Sequence, residues 1–143
     1  FGPGQKENFV AAALTKRMLL AQRLDQSEIT VGNLETIRDF TDVRDVVRAY
    51  RLILTKGDGG NVYNVCSGIG RKISELATTL LNKIDSELEL KLDPKLHRPS
   101  DTPVLIGDYS KLHKQTGWEP DIEFDQTIED TIESTRALMT QER

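Results

Sequence analysis

The stretch VGNLETIRDFTDVRDVV, Val31 to Val47, decides the fold class of this chain. It predicts a strand, a turn at the Gly32-Asn33 pair, a short strand and then a helix. Asp42 is a suitable N-cap for that helix, and Gly57 is a suitable end. The helix has apolar residues at the spacing of one face, namely Val43, Val46, Val47, Tyr50, Ile53 and Leu54. Because the Gly-Asn pair and Arg38 come just before a helix, the stretch also predicts a site for a small anion.

Outside this stretch the chain continues to alternate helices with strands. We expect a first helix over residues 9–24 with Asn8 as N-cap, a helix opened by residues 67–70, a short helix after Asp108, and a last helix capped by Asp125. The predicted strands cover residues 29–31, 61–66, 88–92 and 104–106, the second buried, the third half-exposed and the last at an edge. Residues 93–103 are predicted as an irregular loop and 118–120 as a linker. This order indicates a mixed α/β or α+β chain with one domain over residues 1–143.

Composition excludes several classes of protein. The 143 residues carry a net charge of −4, which does not favour nucleic acid as a partner. No apolar run reaches the roughly 20 residues that cross a bilayer, so no membrane partner is expected. One cysteine rules out an internal disulfide and fits a reducing, cytoplasmic location. Since the chain begins in loop-like sequence without methionine, we expect a fragment of a longer protein.

Few residues are arranged for catalysis or metal binding. His97 and His113 are far apart and have no neighbouring cysteine, so no metal site is expected. Cys66 lies in an apolar run and is interpreted as a buried small hydrophobic residue. Gly68-Ile69-Gly70 resembles half a dinucleotide fingerprint but has Ile73 where the third glycine belongs, which favours an ordinary strand-to-helix turn.

Anion binding has better support. Arg38 and Arg98 each lie beside a chain reversal, where a planar guanidinium could make paired bonds to phosphate. Asp101 follows Arg98 in a proline-stiffened loop, so the two could hold a phosphate and a ribose diol together. A surface salt bridge explains the same pair equally well. Gly32-Asn33 could offer a backbone N–H and an amide to a base edge, or could simply form a turn.

Six strings recur in an order typical of one family: GPGQ at 2–5, VGNLE at 31–35, RDFTDVRDVVRAY at 38–50, VYNVCSG at 62–68, RP at 98–99 and TGW at 116–118. Together they resemble the C-terminal half of extended short-chain dehydrogenases/reductases that act on GDP-sugars, within the NAD-dependent epimerase/dehydratase family. The first and third strings are more similar to GDP-4-keto-6-deoxy-D-mannose reductases than to GDP-mannose 4,6-dehydratases. Ala13 stands where the dehydratases have a lysine.

The resemblance implies roles for eight residues. Val31, Gly32 and Asn33 would line a guanine pocket, and Phe9 and Val10 would pack beside the nucleotide. The remaining three carry charge: Arg38 and Arg98 would hold the diphosphate, and Asp101 would contact the ribose hydroxyls.

The resemblance also implies what this chain lacks. The family's reductive chemistry uses a Tyr-x-x-x-Lys pair, yet Leu54, Ser67 and His113 stand four residues after the three tyrosines. We therefore expect no catalytic residue and no bound cofactor in this chain, with NAD(P) bound mainly by a missing N-terminal Rossmann half that elements of this chain complete. The parent enzyme would be a homodimer or tetramer.

Two other functions stay open. One is a GDP-mannose 4,6-dehydratase or an epimerase acting on UDP- or dTDP-sugars. The other is a non-catalytic module that binds a nucleotide-sugar or a protein. Retention of Arg38, Arg98 and Asp101 argues against the second.

Overall fold

The computed structural model describes residues 1–96 and 102–141. Within them it has five helices and two small sheets, which confirms the mixed α/β class. The elements in chain order are α1 (Val10–Arg23), β1 (Glu28–Val31), β2 (Ile37–Asp39), α2 (Val43–Lys56), β3 (Gly70–Lys72), α3 (Ile73–Ile84), β4 (Glu89–Leu92), a 3-10 turn (Pro94–Leu96), β5 (Val104–Leu105), α4 (Ser110–Thr116) and α5 (Phe124–Gln141).

The strands form a two-stranded and a three-stranded sheet. β1 pairs with β4 in parallel, with Val31 opposite Leu92. In the second sheet β2 lies between an antiparallel β3 and a parallel β5, so Arg38 faces Arg71 on one side and Leu105 on the other. The predicted edge strand is confirmed over Val104–Leu105, while β3 was not predicted and places a strand between Gly68 and the third helix.

The main core lies between α1, α3 and α5, beside β1. Met18, Leu76, Leu80 and Ile128 are fully buried there. A second cluster joins α2 to α4 through Ala49, Leu112 and Trp118. Residues 118–120 form the irregular connection between α4 and α5 that the sequence predicted, but the Trp118 side chain in it is completely buried, which was not predicted.

Helix ends agree with the sequence at α2 and differ elsewhere. The Asp42 carboxylate accepts from the Arg44 amide at 2.7 Å, and Gly57 follows the last turn, as predicted. Asn8 is not a cap: the Phe9 amide bonds to the Lys6 carbonyl, which makes residue 8 part of a turn. Asp125 is not a cap either, since α5 begins one residue before it. Asp108 bonds the Ser110 amide at 2.8 Å, although Tyr109 occupies the N-cap position of α4.

The prediction of a buried strand over residues 61–66 is wrong except for the burial of Cys66. Residues 61–66 form neither strand nor helix, and Val62 is 80% exposed. On α2, Val47, Tyr50 and Leu54 are exposed, while Asp45 and Ala49 are buried. The described residues therefore cover only part of the apolar surface of these two segments: Ile53, Tyr63 and Val65 pack against the second cluster.

Candidate functional site

One cavity brings together six of the eight residues predicted for the site. It has a volume of about 410 Å³ and lies between the start of α1, the turn after β1, and the start of α3. Its lining includes Phe9, Val10, Val31, Gly32, Asn33 and Arg38. Arg98 and Asp101 lie outside the described residues. Residues separated by up to 29 positions in sequence therefore share one concave surface.

The apolar part of the cavity comes from α1 and β1. Phe9 occupies the N-cap position of α1, which leaves its ring 53% exposed beside Val10. Val31 is buried, because alternation along β1 directs it and Ile29 inward. The exposed ring and the buried valine present apolar surface of the kind on which a planar base can stack or pack.

The turn after β1 supplies polar groups at the same cavity. The Asn33 side-chain oxygen accepts from the Glu35 amide at 2.9 Å, which leaves the NH2 group of Asn33 as its donor. Gly32 allows the turn to lie close to residue 96, because a Cβ there would make a tight contact of 3.1 Å with the Leu96 carbonyl oxygen. The turn can thus offer N–H groups to a carbonyl oxygen or ring nitrogen of a base.

Arg38 adds positive charge from β2. Its Nη1 donates to the Ile37 carbonyl at 2.8 Å and to the Thr102 carbonyl at 2.7 Å. These two bonds fix the plane of the guanidinium relative to the sheet. A fixed guanidinium at a cavity edge is well suited to a phosphate group.

Asp39, the next residue, holds together the loops behind the cavity. Its carboxylate accepts from the Ser67 amide and hydroxyl at 2.8 and 2.6 Å, and from the amides of Gly68 and Gly107 at 2.9 and 3.2 Å. Burial works to raise the pKa of Asp39, but these hydrogen bonds outweigh burial and the pKa is lowered. The ionised carboxylate is therefore a structural anchor for β2.

The Gly68-Ile69-Gly70 string does not fit a dinucleotide. Gly68 has a φ of +75°, as expected for a turn, but Gly70 belongs to β3. A Cβ at Gly70 would collide with the side chain of Ile106 and lie 2.8 Å from Cγ2 of Ile37. Packing between strands accounts for this glycine, so we derive no cofactor chemistry from these residues.

Cys66 is buried, as predicted. Burial, followed by the negative charge of Asp39, raises the pKa of its thiol, which is the opposite of what a nucleophile needs. Among residues 1–96 and 102–141, no three Asp, Glu, His or Cys side chains converge as they would around a metal ion. No helix in those ranges is both long and apolar enough to cross a bilayer.

The sequence reasoning missed Arg17, which also lines the cavity. It lies one helical turn after Ala13, another lining residue, so the i, i+4 spacing on α1 was a usable signal. The other lining residues that it missed are mainly apolar and include Leu34, Ile73 and Leu96.

Comparison with known proteins identifies the family. A family model described as GDP-mannose 4,6 dehydratase matches residues 1–131. The chain belongs to this GDP-mannose 4,6-dehydratase family. It is 40% identical over 128 residues to a GDP-6-deoxy-D-mannose reductase of Pseudomonas aeruginosa, a match that covers 89% of this chain and 42% of the relative. It is 32% identical over 111 residues to a GDP-6-deoxy-D-talose 4-dehydrogenase of Aggregatibacter actinomycetemcomitans, covering 78% of this chain and 36% of that protein.

Solved structures in and around the GDP-mannose 4,6-dehydratase family share the fold. RMD from Pseudomonas aeruginosa, complexed with NADPH, superimposes with a TM-score of 0.88 at 36% identity, over 96% of this chain and 46% of that one. A UDP-glucose 4-epimerase from Thermotoga maritima with UDP-glucose gives 0.86 at 31% identity, over 97% and 44%. The chain thus spans less than half the length of these relatives.

Proposed function

We propose that this chain is the GDP-sugar-binding part of an NAD(P)-dependent GDP-4-keto-6-deoxy-D-mannose reductase, an enzyme of deoxyhexose nucleotide-sugar biosynthesis. The observation that carries the proposal is the cavity shared by Phe9, Val31, Gly32, Asn33 and Arg38. It combines an apolar wall, N–H donors and a fixed guanidinium, which are the groups that a base and a diphosphate need.

In the proposed complex each part of the GDP-sugar has its own set of contacting residues. The base lies against Phe9, Val10 and Val31, and its polar edge faces the Gly32-Asn33 turn. The diphosphate lies toward Arg38, with Arg98 as a second cation and Asp101 at the ribose hydroxyls. The cavity contains no Tyr-x-x-x-Lys pair, so the chain binds and orients the sugar nucleotide while the proton and hydride transfers belong to the rest of the parent enzyme.

The reductase is preferred to a dehydratase because of Ala13. It lines the cavity at the position where the resemblance places the dehydratase lysine. The reductase reading also accords with the 40% identity to the Pseudomonas aeruginosa GDP-6-deoxy-D-mannose reductase. We place the parent enzyme in the cytoplasm as a homodimer or tetramer, with NAD(P) as its cofactor.

Calorimetric titration of the chain with GDP, UDP and dTDP tests the proposal. We expect binding selective for GDP, and we expect Arg38→Ala and Arg98→Ala each to weaken it about tenfold or more, since each removes charge-assisted bonds to phosphate. Arg23→Ala is the matched control, because Arg23 is an exposed arginine in the last turn of α1 that does not line the cavity. Equal binding of all three nucleotides would instead favour an enzyme that acts on UDP- or dTDP-sugars. The absence of binding would favour a module that binds a protein.

A further inference from the structure

We propose that Glu7 determines the preference for guanine, because its carboxylate accepts hydrogen bonds from N1–H and the exocyclic N2–H of that base. This role rests on the proposed function and makes it more specific. Glu7 would be the group that distinguishes guanine from uracil and thymine.

Glu7 supplies the only carboxylate among the described residues that line the cavity of about 410 Å³. A carboxylate is unexpected at that place, since the phosphates of a sugar nucleotide are anionic and a second negative charge repels them. The base is the part of such a ligand that presents N–H donors and carries no negative charge. A carboxylate in this cavity therefore fits the base end of the ligand and not the diphosphate end.

The turn before α1 places Glu7 beside the apolar wall that is assigned to the base. The Phe9 amide donates to the Lys6 carbonyl at 3.2 Å, so residues 7 and 8 form the tip of a turn that leads directly to the exposed Phe9 ring. Arg38, which is assigned to the diphosphate, belongs instead to β2. The carboxylate and the Arg38 guanidinium thus reach the cavity from different elements.

Lys16 restrains the Glu7 carboxylate. Its Nζ lies 2.7 Å from Oε1 of Glu7, and the side chains of Lys16 and Glu7 are 31% and 60% exposed. An ionised carboxylate has two oxygens with about four acceptor positions, so this bond leaves Oε2 and part of Oε1 for other donors. The ion pair also offsets part of the negative charge of Glu7 near an anionic ligand.

The hydrogen-bonding edges of the bases explain why a carboxylate would select guanine. Guanine presents N1–H and N2–H as two parallel donors beside the O6 acceptor. A carboxylate can accept from both donors while an N–H of the Gly32-Asn33 turn binds O6. Uracil and thymine present a single N–H between two carbonyl oxygens, which a carboxylate repels. The N–H groups of the turn alone would bind a carbonyl oxygen of any of the three bases.

Calorimetric titration of the chain with GDP, IDP and UDP tests this role, because the base of IDP is guanine without its 2-amino group. We expect the wild type to bind GDP about tenfold more tightly than IDP, since IDP lacks one bond to a charged acceptor. Glu7→Gln places an NH2 group where a carboxylate oxygen was. GDP affinity should therefore fall about tenfold or more, GDP and IDP should bind about equally, and UDP should bind no more weakly than before.

Glu35→Gln is the matched control for Glu7→Gln. Glu35 also forms an ion pair with a lysine, in which Lys72 Nζ lies 2.7 Å from Oε2, but it does not line the cavity. Its substitution should change none of the three affinities. Neither substitution should change the Tm, since both carboxylates are exposed and exposed ion pairs contribute little to stability.

A loss of affinity by the same factor for all three nucleotides in Glu7→Gln, or no loss for GDP, would overturn the role of Glu7. If selectivity for GDP and its dependence on Arg38 persist in that case, the proposed function stands and other groups recognise guanine. If the wild type binds GDP no more tightly than UDP, or binds no nucleotide, the role of Glu7 and the proposed function are both overturned.

Discussion

The Trp118 indole N–H donates to the backbone carbonyl of Asp45 at 3.0 Å, deep between α2 and the segment after α4. The Asp45 carboxylate completes the connection by accepting from the amides of Asp121 and Ile122, both at 3.0 Å, and from Arg48 at 2.7 Å. The carboxylate and the backbone carbonyl of Asp45 therefore both bind the segment that leads into α5. This connection fixes the buried side of α2 and leaves the opposite side to face outward.

Asp45→Asn should destabilise the protein in a pH-dependent way. Burial works to raise the pKa of Asp45, but the hydrogen bonds from Ile122, Arg48 and Asp121 outweigh burial and lower the pKa below its ordinary 3.8. A lowered pKa means that the stabilisation is present above pH 3.8 and is lost as the pH falls through the folded-state pKa. We expect the variant to lose about 1–3 kcal/mol at neutral pH, because one buried oxygen acceptor is replaced by a donor.

Urea unfolding of wild type and variant across the acid range measures this effect. The gap between the two free energies of unfolding should narrow as the pH drops below 3.8. Glu87→Gln, at an exposed side chain, is the control and should leave the free energy nearly unchanged. A gap of constant size down to the lowest pH would show that the Asp45 charge contributes no pH-dependent stability.

Trp118→Ala should be among the most destabilising substitutions in the described part of the chain. The indole is completely buried beside Leu112 and Ala49 and makes an edge-to-face contact with Tyr109 at 5.5 Å between ring centroids. Truncation would leave a large cavity and remove the hydrogen bond from the indole to the Asp45 carbonyl, so we expect a loss of about 3–5 kcal/mol. Thermal and urea unfolding measure it, with the exposed Leu24→Ala as control. A loss no larger than that of the control would contradict the assigned role of this cluster.

The sequence was sufficient to predict the packing of elements whose partners lie within the described chain. It was not sufficient for elements that have no such partner there. The periodicity of α3 was sufficient because Leu76 and Leu80 pack against α1 and α5, as their spacing requires. The same reasoning predicted the helix α2 and both of its ends but not which of its apolar residues are exposed, and it failed at residues 61–66, which form no strand. Their apolar pattern is genuine, but it identifies side chains that are suited to burial without identifying what buries them.

The residues of the candidate site were also only partly predictable from the sequence. The motif resemblance was enough to name Phe9, Asn33 and Arg38, and the structure places all three at one cavity. Arg17 was missed because a lone arginine on an amphipathic helix is ordinarily a solvated residue. Its i, i+4 spacing from Ala13 was the available signal, and the placement of α1 beside the turn after β1 brings it to the cavity. The burial of Trp118 was missed because Gly117 and Pro120 correctly predict a loop there, and a loop pattern does not predict which of its side chains are buried.

Gly107→Ala should destabilise the loop behind the cavity through sterics alone. A Cβ at this position would lie 2.6 Å from the Cβ of Cys66, which is attached directly to the backbone and cannot move aside. We expect a loss of about 1–3 kcal/mol, the usual range for overpacking. Gly59→Ala is the matched control, because a Cβ there would have no neighbour within 4 Å. Adding Cys66→Gly to Gly107→Ala should recover part of the loss in urea unfolding, and no recovery would place the strain elsewhere.

Arg17→Ala should weaken GDP binding without weakening the fold. Arg17 is exposed on α1 and lines the same cavity as Arg38, so in the proposed complex the two guanidiniums would approach the nucleotide from different elements. In the proposed complex Arg17 provides positive charge one helical turn beyond Ala13. Loss of one charge-assisted contact corresponds to about a tenfold rise in Kd, and this contribution should shrink as salt is added. Calorimetry with GDP at low and high salt measures it, beside Arg23→Ala as a variant of the same charge on the same helix. If Arg17→Ala and Arg23→Ala change the Kd equally, Arg17 acts only through the overall electrostatic potential of the protein and makes no specific contact with the nucleotide.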